Sequence, residues 1–156
     1  MRFFDFILPL VLLASPIAAE TITCTGKDTS TKKNKSWKVS VETAKEEMKK
    51  AGISTQGRTG YPHAYRNFQG LDWSVATCKK TNIDLLEYPV FWVGHSQLDN
   101  TVLTKDQAKT PIRVVYANDG GAAVYCGLMI HEEVTREADV NREQSWQGLE
   151  GFHICE

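Results

Sequence analysis

Four cysteines, Cys24, Cys78, Cys126 and Cys155, are strung across nearly the whole chain, and the residues ahead of them decide what they can do. Arg2 stands before an apolar run from Phe6 to Leu13, and small residues follow from Ala14 to Ala19. That is the layout of a secretory signal peptide, and the run is too short to span a bilayer. Asp5 and Pro9 are unusual inside such a segment. The expected cut falls after Ala19, leaving residues 20–156 as one secreted domain. No later apolar stretch is long enough to hold it in a membrane. All four cysteines lie in the exported part, so the even count reads as two disulfides, for which three pairings exist. A zinc site is the competing use of four thiols. The wide spacings and the lack of a Cys-x-x-Cys pair speak against it.

The 156 residues allow one domain with a proper core. The net charge is −1, and loss of the leader removes one charge of each sign, Arg2 and Asp5, so it stays there. A protein that holds nucleic acid by bulk electrostatics carries an excess of Lys and Arg. If this chain handles RNA, a local site has to do it.

The pattern of apolar residues predicts an α+β fold, with one helix packed on a twisted antiparallel sheet and a β-hairpin at the N-terminus. Thr21-Ile22-Thr23-Cys24 and Ser36-Trp37-Lys38-Val39-Ser40 alternate as the arms of that hairpin, around the polar run 26–35. Ser40 is placed to cap a helix that ends at Gly52, with Val41, Ala44 and Met48 on one face and Lys49 and Lys50 in the last turn. Strands are expected over 61–68, 85–93, 112–117, 123–130 and 152–155, with Asn118-Asp119-Gly120-Gly121 as a turn. The polar stretch 132–151 reads as a long loop or a short helix.

Ionisable residues recur inside these strands. Tyr61 and His63 are two apart and share a face; Glu87, Arg113 and His131 sit within or at the ends of otherwise apolar runs. A charge in such a run costs free energy unless it is paired or faces a cleft. A single one is usually a surface residue. Several, from four different strands, point to one polar face. Glu, two His, Arg and Tyr suit RNA cleavage by internal transfer. A carboxylate or imidazole takes the 2′-hydroxyl proton, an imidazole protonates the leaving oxygen, and a guanidinium holds the phosphate. The same set also suits a glycosidase or an anion-binding site.

The blocks Tyr61-Pro62-His63, Leu86-Glu87-Tyr88-Pro89, Ile112-Arg113-Val114-Val115-Tyr116, Tyr125-Cys126-Gly127 leading to Ile130-His131, and Phe152 three before Cys155 stand in a fixed order. In that order the chain resembles the fungal guanyl-specific ribonucleases and their α-sarcin-type ribotoxin relatives, over roughly residues 22–156. The resemblance implies Glu87 as general base aided by His63, and His131 as general acid. It implies Arg113 and Tyr61 on the phosphate oxygens and Phe152 packed against the phosphate. The product would be a 2′,3′-cyclic phosphate, formed without a metal or other cofactor by a monomer acting on single-stranded RNA. The ribotoxin branch implies the pairing Cys24–Cys155 and Cys78–Cys126. The first closes a loop of about 130 residues, which entropy models value at roughly 4–5 kcal/mol.

Base recognition would fall to Tyr65, Arg66, Asn67, Phe68 and Gln69, with Phe68 stacking on guanine. Here the sequence departs from the family. Gln69 stands where a guanine-binding carboxylate is expected, and an amide offers one acceptor oxygen in place of two and no charge assistance. Guanine preference is therefore expected to weaken. The segment 132–151 is longer than in the small ribonucleases, carries Trp146, and could cover the cleft or contact another molecule. His95 and His153 read as surface groups, Trp37, Trp73 and Trp92 as packing, and the 32–38 run as a solvated hairpin tip.

Three functions fit these readings. The first is a secreted endoribonuclease cutting 3′ of guanosine. The second is a ribonuclease-like fungal effector that binds RNA or a host protein; such proteins usually lack the catalytic set that this chain keeps. The third is a ribotoxin acting on the ribosome. Ribotoxins are basic with Lys-rich loops, and this chain is near neutral.

Overall fold

The computed structural model describes residues 19–138 and 144–156. Strand β1 (Thr21–Asp28) turns back into β2 (Asn34–Ser40), and β2 runs directly into helix α1 (Val41–Ala51). Then come β3 (His63–Tyr65), β4 (Asp84–Pro89), β5 (Ile112–Asp119), β6 (Ala122–His131), β7 (Glu133–Arg136), β8 (Trp146–Gly148) and β9 (Phe152–Ile154), with single 3-10 turns at Ala76–Lys79 and Thr104–Asp106. The α+β class, the N-terminal hairpin and the helix ends expected from sequence are all present. Ser40 accepts a hydrogen bond from the Thr43 amide at 3.2 Å, which satisfies one of the free N–H groups of the first turn. Gly52, at φ 67°, closes the helix by donating to the Met48 carbonyl.

The strands form two sheets where the sequence suggests one. A five-stranded antiparallel sheet has the order β3-β4-β5-β6-β9, and a four-stranded sheet the order β2-β1-β7-β8 with one parallel pair, β1 on β7. The stretch 132–151 supplies the difference. In place of the loop or helix expected there, its described part holds β7 and β8, paired antiparallel from Val134–Gly148 to Arg136–Trp146. The apolar positions Val134 and Trp146 are the available signal, and each stands in a polar run too short to show a period.

The five-stranded sheet separates two cores. Leu86, Tyr88, Val114, Tyr116, Leu128 and Ile130 project toward Ala44 and Met48 of α1. The alternate residues, Leu85, Val115, Ala117 and Met129, project to the other side, where Tyr65 and Trp73 close a smaller cluster. A bulge after Val115 breaks the register, so that Val115 pairs with Gly127 and Tyr116 with Tyr125. The extra residue is Cys126, which thereby joins the smaller core and bonds to Cys78. The second disulfide, Cys24–Cys155, ties the first strand to the chain's end. Both pairings are those implied by the ribotoxin resemblance. The β5–β6 hairpin turns through Gly120 and Gly121, at φ 64° and 96°, as the Asn-Asp-Gly-Gly run suggests.

Candidate active site

The face turned away from the helix carries the ionisable residues, and strand pairing fixes their order. His63 on β3 stands opposite Glu87 on β4, and Glu87 opposite Val115 on β5. Arg113, two residues from Val115, shares that face and stands opposite Met129 on β6. His131 is two residues beyond Met129 and opposite Phe152 on β9. Glu87, Arg113 and His131 thus run diagonally over three adjacent strands, with Arg113 in the middle. The six residues singled out for chemistry and phosphate contact come from β3 and the turn before it, β4, β5, β6 and β9.

Contacts tie the group together. His63 Nδ1 is 3.6 Å from Glu87 Oε1. The Tyr61 ring stacks on the His63 ring with centroids 4.0 Å apart. The Arg113 guanidinium donates to the main-chain carbonyls of Thr110 and Ile112, and to the Tyr61 hydroxyl at 3.3 Å. Its Nε is buried with no hydrogen-bond partner among the described residues. A buried donor left unpaired costs about 1–3 kcal/mol. The Phe152 ring lies 3.9 Å from the His131 ring, and Nδ1 of His131 is likewise buried and unpaired among the described residues.

Burial moves the two outer groups in opposite directions. It pushes the Glu87 carboxyl above the ordinary carboxylate range, against the pull of Arg113 and His63. It pulls the His131 imidazole down to about 4, and the Arg113 charge adds to the fall; the nearby main chain of Leu149 and Gly151 favours the protonated ring but does not offset burial. Arg113 acts on both, as its central position requires.

The loop after β3 is less uniform than its sequence suggests. Phe68 is 86% exposed. Arg66 and Gln69 are exposed beside it. Tyr65 is instead a core aromatic, edge-on to both Trp73 and Phe152, with its hydroxyl pushed up to about 12 by burial and then by Glu87. Asn67 spends its side chain on the loop itself. Its Oδ1 accepts from the Tyr65 hydroxyl and the Leu71 amide, and its Nδ2 donates to the Leu71 carbonyl. Of the five positions, only Arg66, Phe68 and Gln69 present free side chains. A concavity of about 1040 Å³ opens beside this loop, bounded by Arg66, Phe68, Trp73 and Lys79. A smaller one, about 240 Å³, lies at the other end of the site between Tyr61, Arg113, Lys109 and Gln147.

Three residues at the site's border carry no mark in the sequence. Thr110 supplies a carbonyl that holds Arg113. Gln147 and Gly148 reach the site because β8 folds back onto it. Trp146 does not cover the cleft; it packs edge-on against Trp37 at 5.4 Å, beneath Lys35. Trp73 is buried in the smaller core and Trp37 in the larger, as their packing role requires. Among the described residues no cluster of His, Cys, Asp or Glu has the form of a metal site.

A family model described as ribonuclease matches residues 25–142. Among solved structures the chain is similar to the solution structure of hirsutellin A from Hirsutella thompsonii. The two are 38% identical over 87% of this chain and 98% of that one, with a TM-score of 0.69. No curated protein matches.

Proposed function

The chain belongs to the ribonuclease family, and from that premise we propose that it is a secreted endoribonuclease that cuts single-stranded RNA after guanosine. The observation that carries this reading is the diagonal Glu87–Arg113–His131 on one sheet face, with a carboxyl raised at one end and an imidazole lowered at the other. Glu87, steadied by His63, takes the proton of the ribose 2′-hydroxyl. The 2′-oxygen forms a bond to phosphorus, the bond to the 5′-oxygen breaks, and His131 gives that oxygen its proton. The Arg113 guanidinium and the Tyr61 hydroxyl bond the nonbridging oxygens as charge builds on them, and Phe152 closes the site beside the phosphate. The 2′,3′-cyclic phosphate is then opened by water with acid and base exchanged.

The path of the strand follows β4. Leu85 lies at the Tyr65 end, Glu87 at His63 and Pro89 at Arg113. Four residues of strand span about 13 Å, room for a base on Phe68, a ribose at Glu87 and a phosphate at Arg113. The next nucleoside on the leaving side then enters the concavity at Lys109 and Gln147. Export is supported by the two disulfides and by the leader layout of residues 1–19, of which 1–18 fall outside the described residues.

A second reading, a ribotoxin that cuts one ribosomal loop, is favoured by the disulfide pairing, which is the one the ribotoxin branch implies. One experiment separates the two. The mature protein is incubated with total RNA and with intact ribosomes, beside Glu87→Gln and His131→Ala. General degradation ending in guanosine 2′,3′-cyclic phosphate is expected. A single discrete ribosomal fragment would support the ribotoxin reading, and no cleavage of either substrate would leave a binding protein on a ribonuclease fold.

A further inference from the structure

Strand β8 lies directly on the imidazole of His131. A Cβ built on Gly148 would stand 1.9 Å from His131 Cδ2, 2.2 Å from Cγ and 2.7 Å from Nε2. Real Cβ atoms essentially never approach a heavy atom within 3.0 Å, so no other residue fits at 148 without displacement. The backbone itself makes no such demand, because Gly148 is not among the glycines with positive φ. It is an ordinary strand residue paired with Val134, and the next amide, of Leu149, donates to the Glu133 carbonyl at 2.9 Å. The three nearest obstacles to a side chain all belong to the ring.

The strand is the less movable partner. Besides its pairing with β7, β8 is anchored to the loop before β5. The Trp146 amide donates to the Lys109 carbonyl at 3.0 Å, and the Lys109 amide donates to the Ser145 hydroxyl at 2.9 Å. Ser145 in turn donates to Glu137, which is ion-paired with Lys109. Trp146 is held against Trp37. The imidazole is bounded by Phe152 at 3.9 Å, so a side chain at 148 would be accommodated by turning or tilting the ring.

We propose that Gly148 is a positioning residue for the acid of this site: its missing side chain lets the β8 backbone roof the His131 imidazole and fix the plane in which the ring meets the leaving oxygen. The proposal rests on the ribonuclease reading for the word acid, but its geometric half stands on the ring contact alone. It also makes strand β8 a cover over one catalytic group.

The test uses Gly148→Ala in the mature protein, with Thr135→Ala in the paired strand as control. On a guanosine dinucleotide, Gly148→Ala is expected to lower kcat by about a hundredfold, the cost of misplacing a reacting group by about 1 Å, with KM within about twofold. Thr135→Ala should keep the wild-type kcat. The resonance of the His131 Cε1 proton, close to the Phe152 ring, is expected to move in Gly148→Ala and stay in the control. A stability cycle covers the case of a poorly folding variant. Gly148→Ala should lower the Tm in the wild-type background and have little effect when His131→Ala has removed the ring. An equal loss of Tm in both backgrounds, or a wild-type kcat in Gly148→Ala, would overturn the proposal. If the wild type cuts no RNA, the functional reading fails by itself, and the proton shift and the cycle still decide whether Gly148 sets the ring.

Discussion

Lowering the pH should destabilise this protein in a way that one side chain accounts for. The His131 imidazole is held near 4 in the fold, against 6.5 for a free histidine, chiefly by burial. Its folded form binds a proton less readily than its unfolded form, so stability is complete above pH 6.5 and is lost as the pH falls toward 4. Linkage puts the loss at about 2 kcal/mol by pH 5 and about 3 kcal/mol by pH 4, of the order of a third of a small domain's stability. Glu87 contributes with the opposite sign. Its raised carboxyl binds protons more readily when folded, so acid relieves a penalty that neutral pH imposes. The two are separated by comparing the wild type with His131→Gln, which keeps Glu87 and cannot titrate. Urea unfolding followed by tryptophan fluorescence at pH 7.5, 5 and 4 should show the wild type falling by about 3 kcal/mol relative to His131→Gln across that range. Curves that stay parallel would mean that His131 is as open to water folded as unfolded, and would refute the burial on which the argument rests.

Three further outcomes follow from the site and the frame around it. Gln69→Glu restores a charged acceptor in the exposed loop, and should raise cleavage after G over cleavage after A by about one to two powers of ten, read on dinucleotides. Equal ratios for both proteins would move base specificity away from residue 69. kcat/KM should peak on the acid side of neutrality, because the free protein must have Glu87 ionised and His131 protonated at once and burial holds the imidazole near 4; a plateau from pH 6 to 8 would contradict it. Replacing Cys24 and Cys155 by serine frees a loop of sequence separation 131, and replacing Cys78 and Cys126 one of 48. The entropy model values these at about 5 and about 4 kcal/mol, so denaturant midpoints should drop in that order.

Much of this fold is legible in the chain, where one residue's neighbours in sequence are also its neighbours in space. Ser40, the Val41–Ala44–Met48 stripe and Gly52 define a helix locally, and Asn118 to Gly121 define a turn locally. Four charged or polar residues in apolar strands are enough to announce a common face, since period two assigns each residue to one side. What stays hidden depends on distant partners. Strands β7 and β8 have three or four residues each and exist because β1 is there to pair with. The bulge that sends Cys126 to Cys78 has no sequence mark beyond Gly127. Tyr65 and Asn67 read as base contacts by their place in a loop, and their bonds within it carry no mark in the sequence; a loop residue's own sequence does not say whether its polar atoms close the loop or face out of it.

The opposite proton affinities of Glu87 and His131 have a common origin in that fold. The sheet face that carries them also carries Val115 and Met129, with Tyr65 and Phe152 at its margins, so both ionisable groups are set in apolar surroundings. Burial penalises the charged form of each, and a single cation between them can relieve only the carboxylate; on the imidazole it adds to the penalty. The free site therefore leaves the acid of the proposed reaction without its proton near neutrality. With the imidazole near 4, about one molecule in a thousand has His131 protonated at pH 7. A phosphate lodged on Arg113 changes the balance, because it cancels the guanidinium's effect on His131 and brings a negative charge to the ring's side of the site. Binding and protonation of the acid then favour one another by the same free energy, in either order. In the proposed reaction, the substrate's own charge is what brings the general acid into its working form.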